Sequence, residues 1–136
     1  LIGCNPGVLD PPARRERAQI SRADFIRRHV PPAAQAMAAA TSEADWQAQT
    51  AMTLTRQNSV PRLGRIGVPT LLLCGADDDI CPPSMSRSIA AGIPGARLAI
   101  IGGAGHYATL DQPQAVAQDL AAWLATPLDA VRKEPK

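Results

Sequence analysis

The chain has 136 residues, one domain or less, and can bury roughly two-thirds of its unfolded surface. Fourteen Lys and Arg against twelve Asp and Glu leave a net charge of +2, which argues against a nucleic-acid or membrane partner. Apolar residues reach 46 % but aromatics only 3 %, so Ala, Val, Ile and Leu must build most of the core, with Phe25, Trp46, Tyr107 and Trp123 as isolated bulky pieces.

Residues 1–9 read as the end of a buried strand running into a turn, because Asn5-Pro6-Gly7 is strong turn punctuation. Residues 10–59 lose strand character and look helical in pieces. Ala13 to Ala18 is rich in Arg, and Ser21 is placed to cap Arg22 to His29. Pro31-Pro32 stops that helix and starts the alanine-rich Ala33 to Ala40. Ser42-Glu43-Ala44-Asp45 fits a capping box before Trp46 to Thr55. Residues 60–126 change pattern. Leu63 and Ile66 lead into Thr70 to Cys74, a continuous apolar run of the kind found in a parallel strand covered on both faces. Ser84 to Ala91 is a short helix with Met85 and Ile89 on one face, and Gly92 is placed to end it. Leu98 to Ile101 is the next strand. Asp111 and Pro113 open a last helix whose stripe is Val116, Leu120, Trp123 and Leu124. Residues 127–136 are a polar tail. Strands alternating with helices imply an α/β fold with a parallel sheet.

Cys4, Cys74 and Cys81 are odd in number and show no CxxC spacing. That argues against a disulfide framework and for a reducing, cytoplasmic setting. No run approaches the roughly 18 apolar residues of a membrane span. Leu1-Ile2-Gly3-Cys4 lacks the basic lead-in of a signal peptide, and a start at Leu rather than Met suggests a fragment, a processed product or an incomplete gene model.

Two strand-end loops carry the chemistry. The first runs Gly75-Ala76-Asp77-Asp78-Asp79-Ile80-Cys81-Pro82, the second Gly102-Gly103-Ala104-Gly105-His106. In open parallel sheets, ligands bind beyond the carboxyl ends of the strands, so Asp78 and His106 can reach one rim. Imidazole exchanges a proton near neutral pH, and a carboxylate on its other nitrogen fixes the tautomer. The bland alternatives are a turn-capping Asp78 and a surface His106. Asp77 and Asp79 compete with Asp78 for the acid, and the three in a row would make only a weak cation site without further oxygen ligands. His29, on an Arg-rich helix, reads as a satisfied surface histidine. Cys81 reads as an apolar filler rather than a nucleophile. The glycines do not form G-x-G-x-x-G, which disfavours a dinucleotide loop.

Gly75-x-x-Asp78-x-x-x-Pro82 is similar to the acid loop of α/β-hydrolase fold proteins, and Gly103-Ala104-Gly105-His106 followed by Asp111-Gln112-Pro113 resembles their histidine loop and closing helix. The order acid then histidine agrees with that family. The likeness is close over residues 66–124 and loose before them. Its tone is that of bacterial esterases and enol-lactone hydrolases. The resemblance implies the C-terminal part of that fold: three parallel strands with flanking helices, and residues 10–59 as a helical cap insertion. It implies catalytic roles for His106 and Asp78, with no cofactor and no metal. Trp46, Met52 and Tyr107 become candidate substrate-binding residues. Trp46, Met52 and Leu54 serve equally well as the cap's own small core. The substrate implied is a small ester or lactone. Gly-x-Ser-x-Gly, the nucleophile elbow of ester-cleaving members, is absent, and no earlier oxyanion loop is present. The nucleophile, serine or aspartate, is therefore expected upstream of Leu1, and the chain alone is expected to be inactive. The alternative is a non-catalytic half-domain needing a partner chain at its exposed sheet edge.

Overall fold

A computed structural model describes residues 19–55 and 57–127. The strand expected at 1–9, the basic stretch around Arg14, Arg15 and Arg17, Cys4, the tail from 128 and the side chain of Leu54 lie outside the described residues.

Three helices come first: α1 Arg22–His29, α2 Pro32–Ala40 and α3 Glu43–Thr55. Each boundary has a local cause. Ser21 caps α1 by accepting the Asp24 N–H at 3.1 Å. With the Arg27 guanidinium, that serine holds the exposed Asp24 carboxyl below its ordinary 3.8, the hydroxyl being the larger influence. Pro31 and Pro32 separate α1 from α2, proline being tolerated at a helix start and not in its interior. Ser42 accepts the Asp45 N–H at 3.1 Å and its hydroxyl donates to the Asp45 carboxylate at 2.7 Å. Not every arginine of this region is merely solvated. Arg22 donates to the Ala39 carbonyl at 2.6 Å and so serves an otherwise unpaired C-terminal carbonyl of α2.

After a 3-10 turn, Val60–Arg65, the chain forms β1 Leu71–Gly75, α4 Pro83–Gly92, β2 Arg97–Ile101, the single turn α5 Ala108–Asp111, and α6 Pro113–Leu124. The two strands pair in parallel from Leu71 opposite Arg97 to Gly75 opposite Ile101. They therefore end level, and the loops that follow leave from one edge. Alternate strand residues face opposite sides. Leu73, Ala99 and Ile101 pack with Ala104, Ala108, Ala115 and Val116 in one apolar cluster. The elements packed on the sheet are α4, α5 and α6. The expected third strand, 1–9, is among the residues not described, so two paired strands are seen.

Two expectations are corrected. The inward face of α6 is Ala115, Val116, Asp119 and Trp123, while Leu120 and Leu124 are exposed, Leu124 at 67 %. Gly92 does end α4, but the next residue, Ile93, is extended and Gly92 has no positive φ. Its smallness serves packing instead: a Cβ there would lie 2.8 Å from Leu63 Cδ1. No helix among the described residues is long and apolar enough to cross a membrane.

Candidate active site

The loops after β1 and β2 are stitched together by their backbones. Ala76 N–H donates to the Ile101 carbonyl at 2.8 Å and Asp77 N–H to the Ala104 carbonyl at 2.9 Å. So close an approach explains Gly75: a Cβ there would run into the carbonyl oxygens of Ala104 and Gly105. Gly103 has φ +64°, a left-handed turn that glycine adopts without strain.

On this frame Asp78 meets His106. The Asp78 residue is 7 % exposed and the His106 side chain 19 %. His106 Nδ1 lies 3.1 Å from Asp78 Oδ2 and 3.2 Å from Oδ1. An ionised carboxylate only accepts, so Nδ1 carries the proton. Asp78 Oδ1 also accepts the N–H groups of Ile80 at 2.9 Å and Cys81 at 2.8 Å. The turn-capping and histidine-binding readings of Asp78 are thus both satisfied by one carboxylate. Capping the turn fixes the plane of the carboxyl group, which aims Oδ2 at the imidazole.

The three aspartates do not converge. Asp77 is exposed and contributes its backbone N–H, Asp78 faces His106, and Asp79 faces His29. Among the described residues no group of three His, Cys, Asp or Glu could hold a metal ion. His29 is not the surface residue expected. Its side chain is 13 % exposed, and Nδ1 lies 3.0 Å from Asp79 Oδ1. Cys74 is a buried free thiol.

The candidate substrate residues lie apart. Tyr107 meets the His106 ring edge-on at 5.5 Å. Trp46 packs on Phe25 at 5.1 Å and lines a cleft of about 580 Å³ with Ile20, Arg22, Glu43 and Thr50. Neither Asp78 nor His106 lines that cleft. Asp78 and His106 stand instead at the strand-end rim. Met52 is 61 % exposed.

Two supporting residues had no such role in the sequence reading, where Asp111 opened a helix and Gln112 stood only within the motif after the histidine loop. The Asp111 carboxylate accepts the Gly105 N–H at 2.9 Å, and the Gln112 amide donates to the Gly103 carbonyl at 3.2 Å. Both reach back from the α5–α6 junction to brace the histidine loop. The available signal was an acid a few residues after a glycine-rich loop, but only the turn made by α5 brings it back.

Solved structures of known proteins resemble this chain in fold over most of its length. A hydrolase from Pseudomonas aeruginosa is similar at 27 % identity, with a TM-score of 0.70 over 88 % of this chain and 52 % of its own. A thermophilic esterase from Thermogutta terrifontis is 25 % identical, with a TM-score of 0.68 over 90 % of this chain and 47 % of its own. The 2-hydroxy-6-oxononadienedioate/2-hydroxy-6-oxononatrienedioate hydrolase of Cupriavidus pinatubonensis is 39 % identical over 54 residues, which is 40 % of this chain and 19 % of that protein. The chain thus spans about half the length of the first two and about a fifth of the third. The sequence model of the alpha/beta hydrolase family matches residues 2–119, which take in both strand-end loops, and on that match the chain belongs to the alpha/beta hydrolase family.

Proposed function

We propose that this chain is the C-terminal half of a hydrolase that cleaves a carboxylic ester, lactone or related bond, with His106 as general base and Asp78 as its orienting acid. The observation that carries the reading is the buried Asp78 carboxylate 3.1 Å from His106 Nδ1. With Nδ1 held by the carboxylate, Nε2 is the atom left to take a proton. In the reaction, Nε2 accepts the proton of the nucleophile as it adds to the substrate carbonyl. It then returns that proton to the leaving oxygen, and an acyl-enzyme remains. A water deprotonated by the same nitrogen releases the acid. Asp78 stabilises the imidazolium formed at each step without itself taking the proton. An aspartate nucleophile would instead displace a halide, or open an epoxide C–O bond, at a saturated carbon to give an alkyl-enzyme ester, which water deprotonated by His106 then hydrolyses.

This sequence holds no Gly-x-Ser-x-Gly elbow, so the nucleophile comes from outside it. The 136-residue chain alone is then inactive. The test joins the chain to the coding sequence in frame before Leu1 and follows hydrolysis of short-chain aryl esters. His106→Ala should lower turnover about 10²–10⁴-fold. An upstream sequence with no nucleophile elbow, or a His106→Ala variant of unchanged rate, removes the catalytic reading.

A second reading is a non-catalytic half-domain that needs a partner chain. It is favoured by the half-buried strand residues: Leu71, Leu72, Leu98 and Ile100 are all only partly covered. Recovery of activity on mixing with a separately produced nucleophile-bearing chain would assign the partner to catalysis. Stable association without activity would support the half-domain.

A further inference from the structure

The acid loop is gripped from two sides by adjacent residues. Asp78 holds His106, from the loop after β2. Asp79 lies against His29, in the last turn of cap helix α1, with Oδ1 at 3.0 Å from Nδ1. The two partners differ in setting. The Asp79 side chain is 71 % exposed, whereas the His29 ring is 13 % exposed and packs on Phe25 at 5.2 Å. Phe25 in turn packs on Trp46 of α3 at 5.1 Å. The histidine is thus the fixed member, and the carboxylate comes to it.

The covering of the sheet makes this contact matter. The sheet is covered by α4, α5 and α6, and α1 to α3 are not among the elements packed on it. Val30 at the end of α1 and Ala34 of α2 are buried, so apolar burial and this polar contact together hold α1 in place. Asp78 Oδ1 takes the N–H groups of Ile80 and Cys81, the two residues after Asp79, so the turn that carries Asp79 is closed onto the Asp78 carboxylate. A displacement of Asp79 is felt at Asp78.

We propose that His29 is a positioning residue, a clasp that docks α1 on the acid loop and, through Asp79, steadies the carboxylate that holds His106. It would couple the aromatic cluster of the cap, Phe25 and Trp46, to the strand-end rim. The importance of the clasp for catalysis rests on the roles proposed for His106 and Asp78, but the contact and its mechanical effect do not.

The test uses the full chain and no substrate, so its failure is distinct from failure of the catalytic reading. Amide hydrogen exchange is followed across α1, together with the ring N–H proton resonance of His106. Asp79→Ala removes an exposed side chain with no packing cost. His29→Phe keeps the ring against Phe25 and removes the polar nitrogen. Each should speed exchange in α1 by up to about fivefold, the loss of one polar contact near the surface. The double variant should be no faster than either single one, since both delete the same contact. His29→Asn, whose amide nitrogen can stand near the place of Nδ1, should recover much of the protection. In Asp79→Ala the His106 ring proton should broaden through faster exchange with water. Unchanged exchange in α1 overturns the proposal. So does a loosened α1 with an unaltered His106 resonance, since the cap contact would then be structural only.

Discussion

At the scale of single residues, Gly75 and Asp78 serve one geometry from three positions apart. Gly75 lets the histidine loop lie against the end of β1, and Asp78 then finds His106 within hydrogen-bond reach. Gly75→Ala should cost about 1–3 kcal/mol, because backbone atoms at Ala104 and Gly105 cannot swing aside as a side chain would. A denaturant titration measures it. Gly92→Ala makes the contrast: the atoms met, Leu63 Cδ1 at 2.8 Å and Cβ at 3.1 Å, belong to one side chain that can give, and alanine is the better helix former, so the change should cost about 1 kcal/mol, less than Gly75→Ala. Asp78→Asn tests the acid. An amide oxygen can still accept from Ile80 and Cys81, so the turn survives and the fold should lose only about 1–2 kcal/mol. The amide cannot stabilise an imidazolium, so aryl-ester turnover of the completed enzyme should fall roughly 10⁴-fold. A thermal melt beside the rate assay separates the two effects.

At the scale of elements, α6 shows how a helical stripe can be read one notch off. Val116, Leu120, Trp123 and Leu124 share helical spacing, and all are apolar. The face turned inward instead passes through Ala115, Val116, Asp119 and Trp123. Helix orientation is set by what reaches the sheet. Here Asp111 and Gln112, tied to Gly105 and Gly103, fix the start of α6 and so its rotation. Val116→Ala should therefore cost about 2 kcal/mol, while Leu124→Glu should stay within about 0.5 kcal/mol in the chain alone. Chemical denaturation of the two variants decides which face is the buried one. The cap helices follow local rules more closely. Ser21, Ser42 and the proline pair at 31 and 32 each act on residues next to them in sequence, and each boundary falls where those residues put it.

At the scale of the molecule, the cover is incomplete. Among the described residues no large side chain is fully buried, and Met37, Met52, Val68, Leu110 and Leu124 are exposed. A parallel strand pair ordinarily has apolar cover on both faces and neighbours on both edges. The isolated chain is expected to self-associate, or to bind an apolar dye strongly, and to lose both properties when the nucleophile-bearing half is added. Size-exclusion chromatography with and without that half reads this directly. A monodisperse, cooperatively folding monomer with no dye binding would instead mark a self-sufficient module.

Some of this was determined by the sequence alone. Helix caps, proline breaks, apolar runs and the two glycine-bearing loops act over a few residues, so the elements are legible within a residue or two. The strand at Leu71–Gly75, expected at Thr70 to Cys74, is an instance. The spacing of Gly75 and Asp78 and the glycines before His106 likewise singled out two residues that the structure brings within 3.1 Å of each other. Other features needed the tertiary structure, because they join residues far apart in the chain. Level strand ends bring Asp78 to His106, a turn at α5 returns Asp111 to Gly105, and α1 brings His29 to Asp79. His29 looked like a surface residue because its helix neighbours are charged. Burial, however, depends on what packs against a side chain, and its partner is 50 residues away along the sequence, across the fold.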